Sequence, residues 1–192
     1  ASNKQYASAE MKNYKVGDKV SLRNLVKYVI TVSDNTAHSI LVDYIGFQTL
    51  KNYGKSLGAT STLVGGDNFG TMNVHDAIIY ITKLDELINK DVTLGSELQS
   101  YFVNSDQNYL NFPEENIQAA QKYGQYEIYY HENGIVYTPN KYYVSILTSE
   151  GQNKYGFEKV IRNINTKVYE LHQTFYQNRQ DTCYNYVYNQ EQ

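Results

Sequence analysis

The spacing of apolar residues changes near Pro113, and that change limits the fold more than any other feature of the sequence. Before Pro113, apolar side chains recur every three or four residues, which is the spacing of one helix face. After it come segments rich in Tyr, Val and Ile, a composition typical of strands, and then one more stretch with helical spacing. Helices followed by an antiparallel sheet and one covering helix predict an α+β fold.

Capping residues locate the helices of the first part. Ser21 precedes a helical run that we expect to end near Ser33. A second helix is predicted from Asn35 to Gly46, because glycine is favoured just after a helix end. The remaining helices are predicted over residues 47–57, after a cap at Thr71 or Asn73, and over residues 95–103.

The second part predicts strands over residues 117–130, 134–138 and 142–148, with a hairpin turn at residues 138–141. A closing helix is expected over residues 157–171. The tail alternates Tyr184, Tyr186 and Tyr188 with polar residues, which permits an edge strand. We therefore divide the chain into an N-terminal segment (1–19), a domain (20–180) and a tyrosine-rich tail (181–192). Within the domain, residues 20–112 form the helical part and residues 113–180 the sheet and closing helix.

Composition excludes several classes of function. The 192 residues carry 17 Lys and Arg against 20 Asp and Glu with no cationic stripe, so a nucleic-acid partner is not expected. No apolar run approaches the roughly 18 residues that a membrane span requires. Cys183 is the single cysteine, which excludes an internal disulfide. No metal site or cofactor is predicted, because metal-binding spacing is missing from the four histidines, His38, His75, His131 and His172.

The most informative motif is Ser-Asp-Asn at residues 33–35, between two predicted helices. By itself it indicates an ordinary corner, since all three residue types cap helices. Its surroundings, LVKYVITVSDNTAHSILVDYIG over residues 25–46, closely resemble the segment that carries Ser-Asp-Asn in class A β-lactamases. Related penicillin-binding D-Ala-D-Ala peptidases share this segment.

A second resemblance follows in the order that this family requires. Lys-Tyr-Gly at residues 122–124 lies in a predicted strand and resembles the family's Lys-Thr-Gly strand, with Tyr123 in place of the small hydroxyl residue. The next two predicted strands and the closing helix also fit. The resemblance covers about residues 20–171 and implies a β-lactamase/transpeptidase-like fold, with a helical lobe and an antiparallel sheet covered by a C-terminal helix.

The resemblance implies a role for each matching residue. The catalytic residues are Ser33, which would help pass a proton to the leaving nitrogen, and Lys122, which would supply positive charge beside the serines and the substrate carboxylate. The backbone N–H of Gln125 would be an oxyanion-hole donor. The substrate-binding residues that the resemblance implies are Asn35, Tyr123, Gly124 and Gln125.

Three departures from the family put the activity in doubt. The nucleophile motif Ser-x-x-Lys would lie upstream of Ser33, so the domain looks N-terminally truncated. Within this sequence only Thr138 and Lys141 have that spacing, and they lie in a predicted turn. The loop at residues 64–70 lacks the deacylating Glu; Asp67 is a candidate substitute, but the pattern favours a loop-capping Asp. The ring of Tyr123 is expected to narrow or close the cleft.

Three functions remain open at this point. One is a serine acyl hydrolase for β-lactams or D-Ala-D-Ala peptides, whose nucleophile segment is missing from this chain. Another is a non-catalytic relative that binds peptidoglycan stem peptide or a protein partner. The third is an unrelated tyrosine-rich interaction domain. Both family readings imply a location outside the cytoplasm. They also leave an open sheet edge, which the tail, an upstream segment or a second chain would fill.

Overall fold

A computed structural model of the protein describes residues 8–61, 69–150 and 156–190, with side chains up to Cys183. Within these residues the helical part contains five α-helices, preceded by a 3-10 turn at Met11–Asn13. The sheet follows a second 3-10 turn at Pro113–Glu115, and a long helix closes the domain. The helices of the first part are α1 (Leu22–Val32), α2 (Asn35–Ile45), α3 (Phe47–Ser56), α4 (Val74–Lys90) and α5 (Val92–Val103). The remaining elements are β1 (Ala119–Tyr126), β2 (Tyr129–Val136), β3 (Tyr142–Thr148) and α6 (Gly156–Gln190).

The caps confirm the predicted helix starts except at α5. Ser21 accepts a hydrogen bond from the Asn24 N–H at the start of α1, and Asn73 caps α4. The predicted start of α5 at residue 95 was wrong, because Asp91 caps the helix and α5 begins at Val92. Gly95 therefore lies inside α5, where an added Cβ would stand 1.9 Å from the backbone oxygen of Ile88. A glycine at this position allows α5 to pack closely on α4 and does not mark a helix start.

The three strands form one antiparallel sheet in the order β1-β2-β3. The single predicted strand over residues 117–130 was wrong: the chain reverses at Glu127, which has a φ of +51°, and β2 begins at Tyr129. No glycine or proline marks that turn, so composition gave no signal for it. The predicted turn at residues 138–141 is confirmed, since Val136 pairs with Tyr142 across it.

Each face of the sheet packs against different helices. On one face, Val144 and Ile146 pack with Phe157 and Ile161 of α6. On the other, Ala120 and Ile135 meet apolar residues of α4 and α5, among them Ile81, Ile88 and Phe102. The sheet is therefore the middle layer of the domain, as the α+β prediction requires.

The two ends of the described chain are next compared with the sequence. Met11 packs against Leu25 and Ala37, so the described part of the N-terminal segment contacts the domain. The edge strand in the tyrosine-rich tail was wrong, because α6 continues as one helix to Gln190. Neither glycine nor proline follows Gly156 to stop the helix, and adding one residue to an existing helix is easier than nucleating new structure. No helix in the described ranges is long and apolar enough to cross a membrane.

Candidate active site

The corner between α1 and α2 places Ser33. Ser33 ends α1 with φ 52° and ψ 44°, in the left-handed region that few residues other than glycine adopt. The next residue, Asp34, returns to extended geometry and accepts a hydrogen bond from the Ala37 N–H at the start of α2. The chain therefore turns sharply at Ser33 and leaves this half-buried side chain at the junction of two helices. Uncommon backbone geometry of this kind often occurs at functional sites.

Asp34 fixes this corner to the N-terminal segment. Its carboxylate accepts hydrogen bonds from the Ser8 hydroxyl and from the backbone N–H groups of Glu10, Met11 and Ala37. Burial would raise the pKa of Asp34, but these hydrogen bonds outweigh it and hold the pKa below its ordinary value. The sequence indicated a helix cap here, but the partners more than 20 residues away left no local signal.

Lys122 of β1 reaches the same corner. Its Nζ donates a hydrogen bond to Ser33 Oγ at 2.9 Å, although the two residues are 89 positions apart in the chain. A second hydrogen bond runs from Nζ to the backbone oxygen of Tyr123 at 2.7 Å. The Tyr123 ring centroid lies 3.8 Å from the same nitrogen, within the range of a cation–π contact. The structure thus brings together Ser33, Lys122 and Tyr123.

The surroundings of Lys122 favour its neutral form. Burial lowers the pKa of Lys122 to about 8, although the negative charges of Glu132 and Asp106 act in the opposite direction. Asp106 lies at the end of α1, where its backbone N–H donates to the oxygen of Thr31 at 2.9 Å. A lysine with a pKa near neutrality beside a serine hydroxyl can both give and take a proton.

Glu132 is a buried carboxyl that the sequence did not indicate. It pairs with Tyr123 across the β1–β2 ladder, has 0% of its surface exposed, and neither carboxylate oxygen has a hydrogen-bond partner among the described residues. Burial raises the pKa of Glu132 to about 8, while the charges of Lys122 and Arg162 oppose that rise. The predicted strands left residues 131–133 between them, so no pattern marked this position as buried.

The other predicted site residues flank the cluster. Asn35 begins α2 and is half-buried. Gly124 and Gln125 continue β1 beyond Tyr123, and Gln125 is exposed. Tyr123 itself is half-buried; burial raises its pKa, and a hydrogen bond with Ser33 acts against that rise. The roles assigned to these residues stay predictions.

Thr138 and Lys141 have separate structural roles. Thr138 donates a hydrogen bond to the oxygen of Asn140, and Lys141 forms an ion pair with Asp85. Asp67 lies outside the described residues. Within the described ranges, no group of three or more His, Cys, Asp or Glu side chains is arranged to hold a metal ion.

Comparison with known proteins defines the class of this domain. Its fold matches a class A β-lactamase from Bacteroides cellulosilyticus, with 20% identity, a TM-score of 0.71, and coverage of 87% of this chain and 69% of the other. A PBP-A mutant captured as an acyl-enzyme with penicillin G matches at 19% identity and a TM-score of 0.74, with coverage of 88% and 68%. The TLA-1 extended-spectrum β-lactamase matches at 15% identity and a TM-score of 0.72, with coverage of 86% and 70%. At these identities the matches establish the fold.

The family follows from the sequence model. The model described as the β-lactamase enzyme family matches residues 1–172, which is most of the chain. The chain therefore belongs to the β-lactamase enzyme family. A search of curated proteins gave no match. The predicted fold class and the resemblance to serine β-lactamase-like proteins are confirmed, and the chain spans about two thirds of the length of these structural relatives.

Proposed function

We propose that this chain forms the proton-relay and substrate-binding part of a serine acyl-transfer site for β-lactams or D-Ala-D-Ala peptides. The attacking serine would come from residues outside this sequence. The observation that carries the proposal is the 2.9 Å hydrogen bond between Lys122 Nζ and Ser33 Oγ. Membership of the family and the acyl-enzyme of PBP-A with penicillin G support the reaction class.

The relay acts when the leaving nitrogen departs. The attacking serine gives its hydroxyl proton to a base that, like the serine itself, would come from residues outside this sequence, and that proton later restores Lys122. The serine oxygen bonds to the acyl carbon, and the bond from that carbon to nitrogen breaks. Ser33 gives its hydroxyl proton to the nitrogen and takes a proton from the Lys122 ammonium. Because burial lowers the pKa of Lys122 to about 8, this proton is available close to neutral pH.

The remaining site residues would hold the substrate. The side chain of Asn35 would bind the amide of the substrate, and the Gln125 N–H would bind the developing oxyanion. β1 is an edge strand of the described sheet, so an extended peptide can lie along Tyr123 and Gly124 as an added strand.

A second candidate is a non-catalytic relative that binds cell-wall peptide or a protein. The observation in its favour is the Tyr123 ring over the Lys122 amine, because the ring occupies space beside the proposed relay. This candidate keeps the fold and the open edge of β1 but performs no covalent chemistry.

Acylation by benzylpenicillin separates the two candidates. The protein isolated from its source cells is incubated with benzylpenicillin, and its intact mass and peptide map are measured. Benzylpenicilloic acid is the matched control, since its ring is already open and it cannot acylate. One penicilloyl group on a serine of the same polypeptide supports acyl transfer. An unmodified protein that still binds stem peptide supports the non-catalytic relative.

The open edge of β3 and the cellular location belong to the same proposal. We propose that an upstream segment or a second chain pairs with β3, the other edge strand of the described sheet. Light scattering separates these two cases, since only the second gives a dimer.

The proposed substrates also imply a location outside the cytoplasm. Cell fractionation that recovers the protein only in the cytosol would contradict this.

A further inference from the structure

We propose that Tyr123 is a specificity-determining residue: its ring covers the Lys122 ammonium and disfavours acyl compounds with a carboxylate relative to neutral ones. The inference rests on the proposed function and ranks the acyl substrates of that same site by their charge. The inference follows from the contacts that the Lys122 side chain makes within the protein.

The protein's own groups surround the Lys122 nitrogen. An ammonium has three N–H donors. One donates to Ser33 Oγ at 2.9 Å and another to the backbone oxygen of Tyr123 at 2.7 Å. The ring of Tyr123 takes up a further side at 3.8 Å from its centroid. A carboxylate that approaches this nitrogen must therefore displace one of these contacts.

The Tyr123 ring also packs beside a second aromatic ring. It stacks on Tyr130 with an interplanar angle of 14° and a centroid distance of 6.5 Å. Tyr130 is 2% exposed and stacks in turn on Phe157 of α6 at 3.7 Å. Moving the ring away from Lys122 disturbs this stack, so the contact resists displacement.

Neutral substrates avoid this conflict. An acyl compound without a carboxylate makes no demand on the Lys122 charge and leaves the cation–π contact intact. The hydrogen bond from Lys122 to Ser33 does not involve the ring, so the proton relay does not depend on carboxylate recognition. The ring thus lowers affinity for anions while it leaves the relay in place.

A matched pair of ligands tests the proposal. Benzylpenicillin and its methyl ester differ only in the carboxylate, and rapid-mixing titration of the initial complex, before any acylation, gives a dissociation constant for each. In Tyr123→Thr the acid is expected to bind about tenfold more tightly and the ester within about twofold of the unmodified protein, the scale of a lost cation–π contact. An unchanged ratio of acid to ester affinity overturns the proposal.

Two further variants locate the effect. Tyr123→Phe keeps the ring and removes the hydroxyl, so it is expected to retain the unmodified ratio. If it behaves like Tyr123→Thr, the hydroxyl and not the ring is responsible, and the proposal is wrong. Tyr126→Thr is the matched control, since Tyr126 is exposed on the same strand. Circular dichroism confirms that each variant is folded.

A separate measurement decides the matter if neither ligand binds, which would count against the proposed function alone. Acetic anhydride is a neutral reagent for amines, and peptide mapping gives the acetylation rate of Lys122. A covering ring predicts several-fold faster acetylation of Lys122 in Tyr123→Thr, with Tyr123→Phe and Tyr126→Thr unchanged. Equal rates in all four proteins overturn the proposal.

Discussion

Two kinds of buried charge lie in different regions of this domain. The helical part buries Asp34 and Asp76 at the starts of α2 and α4, and each carboxylate accepts several hydrogen bonds. Those of Asp76 come from the backbone of Thr60 and Ser61 and from the Ser61 hydroxyl. The sheet buries Glu132 and half-buries Lys122, each charge acts on the other, and burial dominates the pKa of both groups.

The pKa directions show what the difference means. Hydrogen bonds outweigh burial at Asp34 and Asp76 and hold the pKa of each below its ordinary value, so both stay ionised and fix backbone segments. Burial moves the pKa of Lys122 down and that of Glu132 up, each to about 8. Charges whose hydrogen bonds outweigh burial support the architecture, whereas groups at which burial outweighs the partners can exchange protons near neutral pH.

The largest effect is expected from Asp34→Ala. The change leaves three buried or half-buried backbone donors without their acceptor, so the free energy of unfolding should fall by roughly 3 kcal/mol at pH 7. Urea denaturation measures it. Because the pKa of Asp34 is lowered in the fold, its contribution is present above its ordinary pKa and is lost as the pH falls below it.

The control for this variant is Asp18→Ala. Asp18 is exposed and accepts one hydrogen bond from the Lys15 N–H, so its loss should cost less than about 0.5 kcal/mol. Equal losses from the two variants would show that Asp34 does not fix the N-terminal segment.

Glu132→Gln should raise the free energy of unfolding at neutral pH, whereas Asp34→Ala lowers it. The raised pKa of Glu132 means that folding takes up a proton there, which costs stability as the pH rises from the ordinary value near 4.5 towards about 8. The amide removes that cost, so the variant should be more stable by about 2 kcal/mol at pH 7 and unchanged at pH 4. Urea denaturation at both pH values checks this.

Glu127→Gln is the control, because Glu127 is exposed in the turn between β1 and β2. It should change stability by less than about 0.5 kcal/mol at either pH. Equal destabilisation by Glu132→Gln at both pH values would mean that the buried carboxyl is ionised and partnered in solution.

Ser33→Ala should have the smallest effect on folding. It removes one half-buried hydrogen bond, so stability should change by less than about 1 kcal/mol. Loss of a proton relay should nevertheless lower the penicillin acylation rate of the whole protein by roughly 10²- to 10⁴-fold. Ser56→Ala, which removes a hydroxyl from the exposed end of α3, is the control. A normal acylation rate in Ser33→Ala would exclude Ser33 from the relay.

The sequence predicted those features that depend on neighbours along the chain. The corner at residues 33–35 and the turn at residues 138–141 carry their own capping and turn residues, and both are confirmed. The turn at Glu127 has no such residue and was missed. The helical continuation of α6 was missed because the tyrosine alternation suggested a strand.

Contacts between distant segments account for the rest of the site. The family resemblance predicted that Lys122 would lie beside the serines, and the structure places it against Ser33. No sequence pattern showed that Asp106 and Glu132 act on the same amine, because their positions depend on how α1 and β2 pack around β1. The contact between the Tyr123 ring and the Lys122 amine likewise depends on the three-dimensional arrangement and has no sequence pattern.

The pKa of the Lys122 amine tests the proposed relay most directly. In protein labelled with ¹³C-lysine, NMR follows each lysine Cε through a pH titration, and Lys122→Arg assigns the signal. Exposed Lys83 is an internal reference, since its hydrogen bond with Glu86 raises its pKa. Burial of the amine, which outweighs the charges of Glu132 and Asp106, predicts a midpoint near 8 for Lys122. A midpoint at the ordinary lysine value of about 10.4 would contradict it, because that amine could not supply a proton near neutral pH.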